Sequence, residues 1–284
     1  MNDFAVFILS HGRSDNVFTY NTLKKQGYTG KIYFILDNED NSINKYITKY
    51  GEENIIIFDK LLISKTFDEC DNFDNRKTIV YARNACFEIA KKLNIKYFIQ
   101  LDDDYTSFRY RYVAGKYITK GYVKCLDKYF KILLSFYKSI SAKSIAIAQG
   151  GDFIGGESCG MISNYDHNSR KCMNSFICST DRAYKFTGRI NEDVNTYVYL
   201  GGLGFLFITI PHIALEQKTT QKNVGGMSEI YNSSGTYIKS FYTVIINPSC
   251  AKIKLMGFTE HRLHHSIKWD NAVPCIIDEK YRKC

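Results

Sequence analysis

The chain has 284 residues, 45% apolar and 24% charged, with 19 glycines and three prolines, a balance that supplies a core and excludes collagen-like or proline-rich chains. An aromatic share of 15% excludes disorder through poor hydrophobicity. The net charge is +9, and between Arg109 and Lys143 nine basic residues stand against Asp127 alone. Nine cysteines without a CxxC exclude a zinc knuckle or redox pair. Met1-Asn-Asp-Phe4 lacks a basic start followed by an apolar run, so no secretory signal is expected and a reducing cytoplasm fits.

In chain order, Phe4 to Leu9 reads as a strand ending in the polar turn Ser10-His-Gly-Arg13. Val17 to Gln26 has helical spacing, with Gly27 as its stop. Lys31 to Leu36 predicts a second strand closing on Asp37-Asn-Glu-Asp40, Ser42 to Tyr50 a helix, and Asn54 to Phe58 a third strand. After a polar loop over Asp68 to Asn75, Ala82, Cys86, Ile89 and Leu93 form a helix face. Tyr97 to Leu101 is then a buried strand running into Asp102-Asp-Asp104.

Tyr105, Phe108, Tyr110, Tyr112 and Tyr117 interleave with Arg109, Arg111 and Lys116, a pattern that can neutralise phosphates and stack on bases. From Val123 to Ile140 the apolar residues recur at helical spacing, so the lysines there equally suit a solvated helix face. Ser144 to Gln149 predicts a strand, followed by a loop holding Gly150, Gly151, Gly155, Gly156 and Gly160. Asn191-Glu-Asp193 precedes a short helix. Val194 to Leu215 carries no Asp, Glu, Lys or Arg and is long enough to cross a bilayer. Its glycines, Pro211, His212 and the run Phe205 to Ile210 predict a buried strand instead. From Gln217 the composition predicts an irregular tail that includes His264-His265 and Trp269.

Strands alternating with helices predict an α/β fold with a mostly parallel, helix-covered sheet in one domain, 1–284. Ligands of such sheets lie beyond the carboxyl ends of the strands, where Ser10 to Arg13, Asp37 to Asp40 and Asp102 to Asp104 fall. Three consecutive carboxylates repel one another unless a cation or water lies between them. On an extended chain Asp102 and Asp104 point to one side and can share a hard divalent ion, Mn²⁺ or Mg²⁺, that completes its shell with phosphate oxygens. The bland counterpart is a turn or capping cluster. No P-loop and no Gly-x-Ser-x-Gly elbow occurs.

The order Tyr81-Ala-Arg-Asn84, a helix, then a strand ending in DxD resembles the nucleotide-sugar glycosyltransferases of the GT-A type. Asn191-Glu192-Asp193 looks like the acidic pair ahead of the acceptor-side helix in inverting members. A fuller ordered set resembles the phage TET-associated glycosyltransferases, a family associated with glycosylation of hydroxymethylated pyrimidines in DNA. It comprises Leu9-Ser-His-Gly-Arg13 with Asp15-Asn16, Asp71-Asn-Phe73, Ala82-Arg-Asn84, Asp102-Asp-Asp104, Gly188-Arg-Ile-Asn-Glu-Asp193, Asn223-Val-Gly-Gly-Met227, Gly235-Thr-Tyr-Ile-Lys-Ser240 and His264-His265.

The resemblance implies a GT-A-like, Rossmann-type sheet with an irregular C-terminal extension. Residues 1–104 would bind the nucleotide sugar and 105–284 the acceptor, a 5-hydroxymethylcytosine or 5-hydroxymethyluracil base. It implies a UDP-sugar such as UDP-glucose as donor, a Mn²⁺ or Mg²⁺ cofactor, the host cytoplasm and no membrane. Asp193 would be the general base, with Glu192 beside it. Donor contacts would come from Ser10, His11, Arg13, Asp37, Arg83, Asp102 and Asp103. Metal ligands would come from Asp102, Asp104, His264 and His265, and acceptor contacts from Arg109, Arg111, Lys116 and Trp269. The bland counterparts are first-turn acids for Glu192 and Asp193, surface histidines, and core filling for Trp269. The rival functions are the same transfer onto a surface polysaccharide or protein, and a nucleic-acid-binding module without catalysis.

Overall fold

The first strand, β1 (Phe4–Leu9), is buried at every position, as a strand covered by helices on both faces requires. Its even residues Phe4, Val6 and Ile8 join one core with Leu23, Phe34, Phe130 and Leu133. Its odd residues Ala5, Phe7 and Leu9 join a second core with Val80, Cys86, Phe98 and Tyr197. The computed structural model describes residues 3–113, 115–217, 235, 237–256 and 262–272.

The remaining strands are β2 (Lys31–Asp37), β3 (Ile55–Phe58), β4 (Tyr97–Asp102), β5 (Tyr105–Tyr110), β6 (Tyr112–Val113), β7 (Lys116–Tyr117), β8 (Ala142–Gln149), β9 (Ser175–Ser179), β10 (Leu206–Gln217), β11 (Ala251–Met256) and β12 (Arg262–Ile267). The helices are α1 (Phe18–Lys25), α2 (Ile43–Tyr50), α3 (Lys60–Ser64), α4 (Val80–Lys92), α5 (Leu126–Ser139), α6 (Gly160–Ser163), α7 (Tyr165–Asn168), α8 (Glu192–Gly202), α9 (Ile238–Ile246) and α10 (Trp269–Ala272). Eight strands form one sheet in the order β3-β2-β1-β4-β9-β8-β10-β5. The first four are parallel, as the alternating pattern predicts. β9 enters antiparallel to β4 and β8, and β5 closes the far edge antiparallel to β10. The carboxyl ends of β1, β2, β4 and β8 and the amino end of β5 therefore open on one edge.

Two expectations change. Asp102 to Asp104 is not extended: β4 stops at Asp102 and β5 starts at Tyr105, so Asp103 and Asp104 form a tight turn. As expected, the apolar run from Val194 divides into a helix, α8, and a strand, the twelve-residue β10, whose register against β8 shifts between Ile210 and Ala214, around a proline that lacks an N–H for the ladder. Among the described residues no helix is long and apolar enough to cross a membrane. The tail is not irregular where it is described: α9 buries Ser240, Tyr242 and Thr243, and β11 pairs with β12 in a hairpin.

Candidate active site

The aspartate turn is anchored by α1. Thr19, fully buried, donates its backbone N–H to the Asp103 carbonyl at 3.1 Å and its hydroxyl to the Asp102 carbonyl at 2.5 Å. It also accepts the Tyr105 N–H at 3.0 Å. A first-turn N–H without an intrahelical partner is thus satisfied by the turn. The Asp103 carboxylate faces inward, receiving Arg13 Nη1 at 3.0 Å and Ser10 Oγ at 2.5 Å. Ser10 and the Arg13 N–H also meet the Tyr46 hydroxyl, at 2.7 and 2.9 Å. Asp103 therefore fixes the Ser10–Arg13 loop to the turn rather than facing a ligand.

Asp102 and Asp104 differ from it. Burial pushes Asp102 up to about 7 despite the pull of Arg83, with Asp104, Glu192 and Asp103 adding to the rise. Burial and the neighbouring Asp103 push Asp104 up to about 6 against Arg13. Two half-buried carboxylates with too little positive charge beside them suit a hard cation. Among the described residues, no group of three or more His, Cys, Asp or Glu is arranged to hold a metal. His264 and His265 are therefore not brought into such a group with the aspartates. They lie on β12, where the His265 N–H donates to Ser240 Oγ at 3.1 Å, and burial with nearby His264, Lys239 and Lys171 pushes His265 down to about 3.

Arg83, at the end of the first turn of α4, is 1% exposed. Its Nε donates to Glu192 Oε1 at 2.9 Å and its Nη2 to Asp102 Oδ1 at 3.0 Å, while its guanidinium lies 4.9 Å from the Phe176 ring centre. The family resemblance puts Arg83 among the donor contacts. The structure places it underneath, joining the aspartate turn to the start of α8. Next to it, Asn84 ties α4 to the Phe186 backbone through both amide atoms, at 3.0 and 2.8 Å.

Asp193 is 7% exposed, and burial with the adjacent Glu192 pushes it up to about 6 against Arg83. It accepts the Val194 N–H at 2.7 Å, so it also fills the first-turn role of a helical acid. Asn191 enters α8 at φ +60° and donates to Thr243 Oγ1 at 2.6 Å.

A second clamp holds this loop. Arg189 Nε donates to Asp71 Oδ2 at 2.7 Å and its Nη2 to the Tyr242 hydroxyl at 3.0 Å; Tyr242 in turn donates to Asp71. Gly188 and Arg189 also donate backbone N–H groups to the Asp68 and Glu69 carbonyls, at 2.9 and 2.8 Å. The motifs Asp71-Asn-Phe73 and Gly188 to Asp193 are thus one contact, a pairing that spacing alone does not reveal.

On β2, Asp37 is held below the ordinary carboxylate range: His11 Nδ1 at 2.7 Å and Lys60 Nζ at 2.9 Å outweigh its burial. The bond to Asp37 raises His11 in turn, and the His11 side chain stays half exposed. Asp40 accepts the Gly12 N–H at 2.8 Å. Lys60 and Tyr46 were not singled out in the sequence, since nothing in a strand-end carboxylate names its distant partner.

The acceptor candidates separate. Arg109 lies 4.5 Å over Tyr122, and Lys116 is exposed on the β6–β7 hairpin. Arg111 is buried and paired with Glu216. On α5, Leu126, Phe130, Leu133, Leu134 and Tyr137 face the core, each burial contributing roughly 1.5–3 kcal/mol, and Lys128, Lys131 and Lys138 are left on the solvated face. Trp269 stacks on buried Tyr197, ring centres 6.0 Å apart, and packs against the second core. Asn223 to Met227 lies outside the described residues.

A mostly parallel sheet with this acidic turn and a second acidic pair at the same edge defines a glycosyltransferase of the GT-A type. The model of the TET-Associated Glycosyltransferase family matches residues 4–226, and the chain belongs to that family. Gly235 to Ser240 and His264-His265 fall beyond the match. The fold is similar to the mannosyltransferase PcManGT from Pyrobaculum calidifontis, solved with GDP-Man and Mn²⁺, at 8% identity and a TM-score of 0.51 over 87% of this chain. The chain spans 63% of that protein's length. Glucosyl-3-phosphoglycerate synthase from Mycobacterium tuberculosis, solved with Mn²⁺, UDP and phosphoglyceric acid, is similar at 7% identity and a TM-score of 0.46, over 97% of this chain and 88% of that one. TarS of S. aureus, solved with UDP-GlcNAc, is similar at 11% identity and a TM-score of 0.43, over 85% of this chain and 66% of that one. No curated protein sequence matches the chain.

Proposed function

We propose that the protein transfers a hexose from a nucleotide sugar, a UDP-sugar, onto the hydroxyl of 5-hydroxymethylpyrimidines in DNA, with inversion at the anomeric carbon. The observation that carries this reading is the Arg83 bridge, which holds the aspartate turn and the Glu192–Asp193 pair at one edge of the sheet. A fold similar to a mannosyltransferase solved with GDP-Man and Mn²⁺ supports a sugar-nucleotide donor and a divalent ion.

Asp102 and Asp104 are the residues that would hold Mn²⁺ or Mg²⁺. Such an ion neutralises the charge that builds on a departing diphosphate. Ser10, His11, Arg13 and Asp37 stand beside the turn on the donor side, with His11, just after β1, and its partner Asp37, at the end of β2, suited to the nucleoside. Asp193, ionised above about pH 6, takes the proton of the acceptor hydroxyl. A neutral hydroxyl is a poor nucleophile, and such assistance is worth on the order of 10² to 10⁴ in rate. Attack opposite the leaving group needs one base and no covalent intermediate. The basic residues between Arg109 and Lys143 favour DNA as the acceptor, and a DNA acceptor would be met in the cytoplasm.

The test is incubation with hydroxymethylated DNA and a panel of nucleotide sugars, followed by nucleoside mass spectrometry. A hexosylated nucleoside is expected. Transfer only to a glycan or protein would move the acceptor, and an untouched donor pool would favour a non-catalytic nucleic-acid-binding module.

A further inference from the structure

A concavity of about 830 Å³ lies between α1 and β5, the strand that follows the aspartate turn. Its lining includes Lys25, Gln26, Arg109, Tyr122, Lys124 and Glu216. Gln26 is buried, donating Nε2 to the Phe108 and Val123 carbonyls at 2.8 and 2.7 Å and accepting the Phe108 N–H at 2.8 Å. It therefore fixes α1, β5 and the chain around Val123 to one another, and the groove is preformed. Arg109 is steadied over Tyr122 and donates Nη2 to its hydroxyl at 2.5 Å, while its buried Nε has no partner among the described residues. Lys25 and Lys124 are exposed and form no ion pair among the described residues. Glu216, the acid in the lining, is paired with Arg111. Three cations thus face the groove without a counter-charge.

We propose that this groove is a phosphate-backbone subsite, in which Lys25, Arg109 and Lys124 take phosphodiesters of the acceptor strand next to the base presented at the aspartate turn. The inference rests on the acceptor reading above and assigns it a surface. Thr19, which anchors the turn, and Lys25 are six residues apart on α1, about 9 Å along its axis. A strand carries one phosphate per roughly 3.4 Å of duplex axis, so the groove lies within about three nucleotides of the target. A neutral glycan offers nothing for these charges to meet.

The test is the affinity of a labelled hydroxymethylated oligonucleotide, measured by anisotropy across a salt series, for the wild type and for Lys25→Glu/Lys124→Glu. Both positions are exposed, and thermal melts report that the variant is folded. The variant is expected to bind at least about tenfold more weakly at low salt, with the slope of log affinity against log salt reduced by about two, near one per lost phosphate contact. Equal affinity and slope would overturn the proposal, as would a wild type that binds polygalacturonate but no oligonucleotide. Donor hydrolysis by the wild type, measured separately, decides the transfer reading without deciding the groove.

Discussion

Arg83 donates from Nε to Glu192 Oε1 at 2.9 Å across 109 residues of sequence. Because the same guanidinium also holds Asp102, the aspartate turn and the Glu192–Asp193 pair share one buried cation. Removing it leaves two carboxylates without a partner. Arg83→Met is expected to cost about 3–5 kcal/mol in chemical denaturation, as breaking a buried pair does. Arg83→Lys should recover part of that stability but little transfer, since an ammonium is a point charge and cannot make the two fixed guanidinium bonds.

Asp193 carries a stability cost. Its folded value of about 6 lies above the ordinary 3.8, so its contribution is fully present below about pH 4 and is lost as pH rises through 6. At pH 7.5 the buried, ionised form beside Glu192 therefore costs stability. Asp193→Asn, which still accepts the Val194 N–H, should melt at a higher temperature than the wild type at pH 7.5 and show no such gain near pH 3.5. It should bind donor and lose transfer. In the wild type, the pH–rate profile of transfer should rise through about 6.

Tyr242→Phe removes the hydroxyl shared by Asp71 and Arg189, both nearly fully buried. A loss of about 1–2 kcal/mol is expected from the missing bonds. The donor KM should stay near the wild-type value while kcat falls, because the clamp positions the loop that leads into Asp193. Steady-state kinetics at saturating acceptor separates the two constants.

Gly188 sits at φ +83°, and an added Cβ would fall 2.6 Å from Asn195 Nδ2 and 2.7 Å from Ile246 Cδ1. Gly188→Ala should therefore destabilise by more than the ~1–2 kcal/mol of a left-handed residue alone. Comparison with Gly151→Ala, where the added atom meets nothing within 4 Å, provides the control in a thermal melt.

The parallel half of the sheet was legible because its strands are apolar at successive positions and stop at polar clusters. Asp102 to Asp104 could be named for the same reason, whereas Arg83 and Glu192–Asp193, which lie on helices, were named through the family resemblance. What the sequence hides is long-range pairing. Nothing in Ser175–Ser179 announces that β9 inserts antiparallel between β4 and β8, and Asp103 reads like its two neighbours although it alone turns inward to Arg13. Arg111 looks as free as Arg109, yet it is buried against Glu216 from the adjacent strand. Trp269 and the two histidines follow a segment whose composition is polar, which masks the helix and hairpin that hold them.

As the proposed metal ligands, Asp102 and Asp104 would hold a divalent ion against the donor diphosphate. Calorimetric titration of UDP into the wild type and Asp104→Asn, each with and without Mn²⁺, tests it. The wild type should bind UDP at least about tenfold more tightly with Mn²⁺, a coupling of ordinary size, and Asp104→Asn should show no such gain. UDP affinity indifferent to Mn²⁺ in the wild type, or equally enhanced in Asp104→Asn, would contradict the account.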